Sequence, residues 1–531
     1  MAKLNYNLNQ WAQQQLSSGN MPNDAFYDGI VNNYLLQVEK IRQRYDRAYG
    51  DIVVFGQGDC GQLGCGESVT EARRPRILAG LRGKNISQVA CGGLHSVAVD
   101  DSGKVFTFGC NDEGSLGYNA GEVNEDGALP SLAITGFYPS EFGPNGRTPE
   151  MMDGNNQLIK FQERKDEVIT QVAAGDTVSL ALSTTGNVYH WGGCKDNEGR
   201  LFRPMPPKDD TRKSTGFKDM DALEEDDDPK YYQPPRGNQD YPAHLVDLRK
   251  KAKDISAGGS FAAVLLEDDS IVTFGPGECG ELGRQVPKLD KKTSMEIVKN
   301  KFMTPLPPLN FKQTVLSISC GGYHLLAVTR ENGLSVYSTG LNQYGQLGLG
   351  DIENRQVLTK IKFFEGKDIA KVEGGLQFSC FVDKSGKELY SCGRGDYGQL
   401  GITLEQPDTG YGENVPCRVP LVYESKGTVS NPKENSIILD DIVEEDQPEI
   451  VQISCGSTHA LALTKNGDAY SWGFGTMGAC GQGKDEADVL MPKKLEAKMK
   501  KSQGAASTYK IEYVSGGGQH SAALVTSSSL S

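Results

Sequence analysis

The sequence predicts an all-β chain closed into a seven-bladed β-propeller, its N- and C-terminal strands completing one blade. Three observations predict this. A Gly-rich block occurs seven times, a second block with an alternating apolar strand also occurs seven times, and the repeats open on the first block and end on the second. Self-similarity of this kind marks a repeat architecture in which each unit buries its apolar face against its neighbours.

The first block is an aromatic-Gly pair leading into a Gly-rich stretch that ends in Leu-Gly. It reads FGQGDCGQLG from Phe55, FGCNDEGSLG from Phe108 and FGPGECGELG from Phe274. With drift it returns as TGLNQYGQLG from Thr339, CGRGDYGQLG from Cys392 and WGFGTMGACG from Trp472, and a divergent copy runs from Trp191 to Phe202. The second block carries a Gly pair, often a His, and then a strand, as in VACGGLHSVAV from Val89 and ISCGGYHLLAV from Ile318. Doubled glycines let strands approach where space is tight. Between the blocks stand turn signals such as Ser102-Gly103, Asn332-Gly333, Ser385-Gly386 and Asn466-Gly467, a hairpin pattern in which Gly takes the positive φ of the turn. Asp268-Asp269-Ser270 lacks the Gly, which predicts a different turn there. His95, His324, His459 and His520 share one phase and read as turn residues bonded within their own blades. Asp59 and Asp396 share a phase in the first block, where a carboxylate can also stabilise a turn.

A half-unit at each end is what a ring needs, and closure removes sheet edges that would otherwise pair with other chains. The propeller is expected over 51–525, with insertions near 119–165, 203–247, 285–313 and 404–445, and a tail at 526–531. Residues 1–50 carry no repeat. Their YLLQVEKIRQRY stretch from Tyr34 has weakly helical spacing, so this extension is expected to be partly helical or disordered.

The chain carries 64 Gly and a net charge of −14, which disfavours general affinity for nucleic acid. Arg249-Lys250-Lys251-Ala252-Lys253 and Lys498-Met499-Lys500-Lys501 read as solvated loops. The 12 cysteines form no Cys-x-x-Cys pair, which argues against zinc and for reduced thiols. Cys91, Cys320 and Cys455 share one phase, that of small buried side chains. No apolar run approaches a membrane span. There is no phosphate-binding loop of the Gly-x-x-x-x-Gly-Lys type, no His-Glu-x-x-His and no Gly-x-Ser-x-Gly. Neither a metal nor a cofactor is expected, and covalent catalysis is opposed.

The blocks GQGDCGQLGCGE (from Gly56), FGCNDEGSLG and KDNEG (from Lys195) resemble the regulator-of-chromosome-condensation family. The resemblance spans about Asp51 to Val525. It implies a guanine-nucleotide exchange factor for the nuclear GTPase Ran, with one face of the ring on the GTPase. A β-wedge from the third blade, starting at Cys194 and including Lys195, Asp196, Asn197, Glu198 and Gly199, would press near the phosphate loop. The family's face residues carry over to Asp59, His95, Asp176, Arg284 and His520. Where the family has an Asp in the fourth-blade turn this chain has Ser260, and where it has a His in the sixth it has Gln377. Neither brings a fixed charge, so a scaffold without exchange activity is the alternative. The family's ultraviolet-B receptor uses a tryptophan cluster, and this chain has 3 Trp. The resemblance further implies a nuclear protein, with cytoplasm as the alternative, and leaves chromatin contact through a propeller loop open; no membrane partner is implied.

Overall fold

The computed structural model describes residues 49–111, 114–117, 135–142, 168–195, 201–202, 244–245, 248, 250–285, 313–330, 333–403, 406–422, 447–483, 487–496, 498–500 and 506–527. All of them fall in the second of two compact units, Tyr49–Ser531.

Seven antiparallel sheets form the blades. Blade 2 shows the plan from the inside outward: Ile86–Cys91, His95–Asp100, Val105–Cys110 and Thr135–Phe142. Blades 3 to 7 start on the inner strands Ile169–Ala174, Ala252–Ala257, Thr314–Cys320, Ile369–Gly374 and Ile450–Cys455. Blade 1 joins both ends of the ring. Its inner strands Ala506–Gly516 and His520–Ser527 come from the C-terminal end of the repeats, its outer strands Asp51–Gln57 and Glu71–Ile77 from the N-terminal end. The seam pairs Asp51 with Val525 and Gly56 with His520. This is the predicted seven-bladed closure.

The core consists of seven apolar layers, one at each junction between blades. A second strand is therefore covered on both faces. Val178–Ser183 and His459–Thr464 are buried throughout, and such strands read as continuous apolar runs. The outermost strand Arg355–Lys360 has no buried residue and is half-buried to exposed along its length. Three spans expected as insertions contain such outermost strands, at Thr135–Phe142, His244–Leu245 and Gly412–Arg418. Gly412–Arg418 is mostly half-buried or exposed, and such a strand lacks the apolar signature that marks the inner ones.

Polar seams lock the blades around a central channel. At its mouth the backbone amides of Gly93, Asp176, Gly322, Ser457 and Gly518 donate to Gly175, Gly258, Gly375, Gly517 and Gly92 of the following blades, at 2.8–3.3 Å. This seam requires glycine: a Cβ on Gly175 would lie 1.9 Å from the Gly258 carbonyl oxygen. Below it, Gln88 of blade 2 donates to the Val172 carbonyl and accepts from the Val172 amide (3.1 and 3.0 Å), and Gln452 does the same with Val514.

The histidines form a further seam, and it corrects the expectation of bonds within a blade. Nε2 of His95, His324, His459 and His520 meets the hydroxyl of Ser179, Ser379, Ser521 and Ser96 at 2.7–2.8 Å, each time in the next blade. Each serine hydroxyl also donates to a carbonyl of the preceding blade's Gly-rich loop, at Ser115, Gln346, Ala479 and Gln62. A hydroxyl has one proton to give, so the imidazole Nε2 is the donor. Burial lowers these histidines to about 4 for His95 and His459, and to about 3 for His324 and His520.

The turn without glycine is also corrected. Asp269 has φ 67°, alongside 83° at Gly103 and 74° at Gly386. It closes on Leu266 at 3.1 Å, as Gly103 closes on Asp100. Asp tolerates the left-handed region better than most residues, so the turn is the same one. Cys91, Cys320 and Cys455 are buried as expected.

Candidate partner-binding face

Each inner strand delivers its Gly-Gly turn, and each third strand its Gly-rich loop, to one face of the ring; the Ser-Gly and Asn-Gly hairpins lie on the other. On the first face a depression of about 530 Å³ is lined by residues that include Leu94, Asp176, Tyr397, Phe474, Met477 and Gln519. A channel of about 350 Å³ opens through the inner strands.

Asp176 lines both spaces. It meets solvent there, yet protein crowds its carboxylate enough to push it up to about 6. Asp59 is exposed on the first Gly-rich loop, held by Gln57 Nε2 at 3.1 Å and by the Cys60 amide at 3.0 Å. Glu278, at the equivalent position in blade 4, is exposed as well. These acids give blades 1, 3 and 4 a negative rim. Ser260 and Gln377 are half-buried in their turns. Arg284 is half-buried and donates to Thr273 Oγ1 at 3.2 Å. His95 and His520 are the exceptions to the expected surface. They are 1% and 0% exposed, so they support the face from beneath rather than touch a partner. Deeper in the channel Glu373 is pushed up to about 8, by burial first and by nearby Asp254 second, against the lowering effect of a Ser319 hydrogen bond.

A hairpin begins at Cys194, where the resemblance places the wedge. Cys194–Lys195 pairs antiparallel with Leu201–Phe202 as a two-stranded sheet separate from blade 3. It leaves the ring on the face that carries the glycine turns, where the Gly193 amide donates to the Thr177 carbonyl at 3.1 Å. Its root is fixed: Cys194 is fully buried, and burial, aided by Glu281, pushes its thiol up to about 12. Asp196, Asn197, Glu198 and Gly199 lie outside the described residues, as does the Lys195 side chain.

One cluster on this face was not singled out from the sequence. Arg394 forms a two-pronged ion pair with Asp396 (2.8 and 2.9 Å) and donates to Gln377 Oε1 at 2.9 Å. Its guanidinium lies 5.1 Å from the ring centres of both Tyr344 and Tyr397. Tyr397 meets Phe474 edge-on at 5.1 Å. The available signal was an odd residue in an aligned repeat: the position after aromatic-Gly reads Gln57, Cys110, Gly193, Pro276, Leu341, Arg394 and Phe474, with one cation among seven.

The basic run at 250–253 is engaged internally. Lys250 and Lys253 pair with Asp268 and Asp269 of the adjoining turn, and Lys253 also donates to the Val315 carbonyl at 3.1 Å. Among the described residues no group of three or more His, Cys, Asp or Glu could hold a metal ion, and no helix is long and apolar enough to cross a membrane.

A ring of seven antiparallel blades with glycine turns on one face, and a two-stranded hairpin that follows the third blade's third strand, defines a propeller of the regulator-of-chromosome-condensation class. The chain belongs to the RCC1-like domain family, whose profile matches residues 51–523. It is 28% identical over 485 residues to the regulator of chromosome condensation of Mus musculus, covering 90% of each chain. It is 29% identical over 497 residues to the guanine nucleotide exchange factor SRM1 of Saccharomyces cerevisiae, covering 89% of this chain and 86% of the relative. The crystal structure of Prp20p from the same yeast, described together with its binding properties to Gsp1p and histones, superposes with a TM-score of 0.67 at 24% identity. That superposition covers 92% of this chain and 95% of the other.

Proposed function

We propose that this chain is a guanine-nucleotide exchange factor for a Ran-type small GTPase, acting in the nucleus. The carrying observation is the hairpin whose strands Cys194–Lys195 and Leu201–Phe202 follow the third blade, on the face whose depression is lined by Asp176, in a chain whose relatives include a named exchange factor.

Such a factor makes and breaks no covalent bond. A nucleotide held at nanomolar to picomolar affinity is bound by about −12 to −16 kcal/mol. Release speeds up only if the propeller binds the nucleotide-free GTPase better than the loaded one. A wedge that displaces the phosphate loop supplies this difference. By reciprocity, nucleotide rebinding expels the propeller. Asp59 and Asp176 would pair with basic residues of the GTPase and steer encounter, while Ser260, Gln377 and Arg284 complete the footprint. The tip residues Lys195, Asp196, Asn197, Glu198 and Gly199 are assigned to the wedge by family correspondence, and histone contact follows only from what is described for Prp20p.

A second reading, a protein-interaction scaffold without exchange activity, is favoured by the uncharged Ser260 and Gln377. The test is release of fluorescent GDP from Ran in excess GTP. Acceleration by micromolar chain, lost when residues 196–200 are replaced by a Gly pair, supports exchange. Binding without acceleration supports the scaffold. Ser260→Asp, which restores the family's charge, is expected to increase release.

A further inference from the structure

A ring of seven similar blades presents a docking problem: a partner drawn to acids on a pseudo-sevenfold face needs a mark that selects one rotational setting. The face carries exposed acids on blades 1, 3 and 4, at Asp59, Asp176 and Glu278. Opposite them, blade 6 holds the single cation among the seven positions that follow aromatic-Gly. At this position blade 1 has the neutral Gln57, whose amide holds the exposed Asp59 at 3.1 Å, whereas Arg394 pairs with the almost wholly buried Asp396 and brings more donors than that pair uses.

Its setting is that of a contact residue. A guanidinium has five N–H donors, and three are taken: two by Asp396 and one by Gln377. The plane is held beside Tyr344 and Tyr397, so little side-chain freedom remains to be lost on binding. Asp396 is almost wholly buried, whereas 22% of the arginine side chain stays open. Arg and Tyr are the residue types that dominate interface energetics.

We infer that Arg394 takes a carboxylate of the GTPase on its two remaining N–H groups and so fixes the rotational register in which the partner docks. The inference rests on the exchange reading. A partner with basic residues opposite blades 1, 3 and 4 and an acid opposite blade 6 satisfies all four contacts in one setting. Any other setting places its acid against Asp59, Asp176 or Glu278 or leaves Arg394 unmatched, and like-charge contacts suppress wrong docking.

The test uses nucleotide-free Ran and the full chain, with Arg394→Ala, Arg394→Lys and Asp176→Asn variants and Lys465→Ala on the opposite face as control. Arg394→Ala is expected to weaken binding by about tenfold or more, raising the KM of exchange while kcat stays within about twofold, and to lower the melting temperature because the buried Asp396 loses its partner. Arg394→Lys, which keeps the charge and loses the planar fork, is expected to remain weak, and it replaces the alanine variant should that one fail to fold. If Arg394→Ala and Arg394→Lys bind like wild type while Asp176→Asn weakens binding, the exchange reading stands and this inference is overturned. Loss of kcat together with melting temperature assigns Arg394 to the fold and also overturns it. A wild-type chain that neither binds Ran nor speeds release overturns both.

Discussion

At the scale of single residues, the seams between blades follow a pairing rule. A His at the fourth position of the Gly-Gly turn always faces a Ser in the next blade. Blades 3, 4 and 6 have Val178, Phe261 and Phe378 instead, and the following blades answer with Ala262, Leu325 and Ala460. Phe261 packs with Leu325, and Phe378 with Ala460. The rule predicts energetic coupling. Ser521→Ala strands the buried Nε2–H of His459 and should cost about 1–3 kcal/mol. His459→Phe with Ser521→Ala copies the junction between blades 6 and 7, and should recover about 1 kcal/mol or more of the summed single losses. Urea denaturation of the four proteins measures the coupling, and strict additivity would sink the rule. The same pair sets a pH dependence. His459 titrates near 6.5 when exposed and about 4 in the fold, so the unfolded chain takes up the proton first as pH falls. The stabilisation is complete above pH 6.5 and is lost towards pH 4. Relative to the double variant, wild type should lose about 1.4 kcal/mol per pH unit across that window and nothing above it. A flat difference between pH 7.5 and 5 would show that His459 takes up its proton in the fold at the same pH as in the unfolded chain.

At the scale of elements, the two repeated blocks were legible because inner strands and their turns meet the same neighbours in every blade. Gly175 shows the constraint. A methyl group there would lie 1.9 Å from the Gly258 carbonyl oxygen, whereas Gly366, at φ 82°, has open space around its Cβ position. Gly366→Ala should therefore cost only the left-handed penalty of about 1–2 kcal/mol. Gly175→Ala must push neighbouring blades apart, and should exceed about 4 kcal/mol, the range of exceptional single substitutions. Thermal melts of the two variants rank them, and equal losses would mean that the seam yields. Less of the sequence spoke for outermost strands such as Gly412–Arg418, which pair on one edge and share no core layer with a following blade. The turn at Asp269 was misjudged because a Gly signal records the common route to positive φ, not the only one. Of the candidate site, Asp59 and Asp176 were legible as exposed face acids. The burial of His95 and His520 was not, since a phase in a repeat says which residues are equivalent and not which way they point. Arg394 escaped because a charge within a Gly-rich loop reads as solvated until its tyrosines, brought from two blades, are in place.

At the scale of the whole molecule, stability is a property of closure. The last strand, His520–Ser527, serves two layers at once: Ala522 and Leu524 pack into the junction of blades 1 and 2, Ala523 and Val525 into that of blades 7 and 1. It also covers the edge of Asp51–Gln57 along six residue pairs. A chain ending at Gly517 would lose two of seven apolar layers and expose a strand edge, a template for aggregation. The position of the cut in sequence is not what matters. The ring's chain path is open between the second and third strands of blade 1, and the equivalent place in blade 6 is the Ser385-Gly386 turn, between Phe378–Asp383 and Leu389–Arg394. A circular permutant opened there, with the native C-terminus joined to Met1 so that residues 1–50 act as the linker, keeps every strand pair and every layer. It should melt in one cooperative transition close to that of wild type and remain monodisperse in light scattering, while the chain ending at Gly517 should aggregate without a cooperative melt. A truncated chain that unfolds cooperatively near the wild-type temperature would show that the ring does not need its clasp, and that each blade stands on its own neighbours as in an open solenoid.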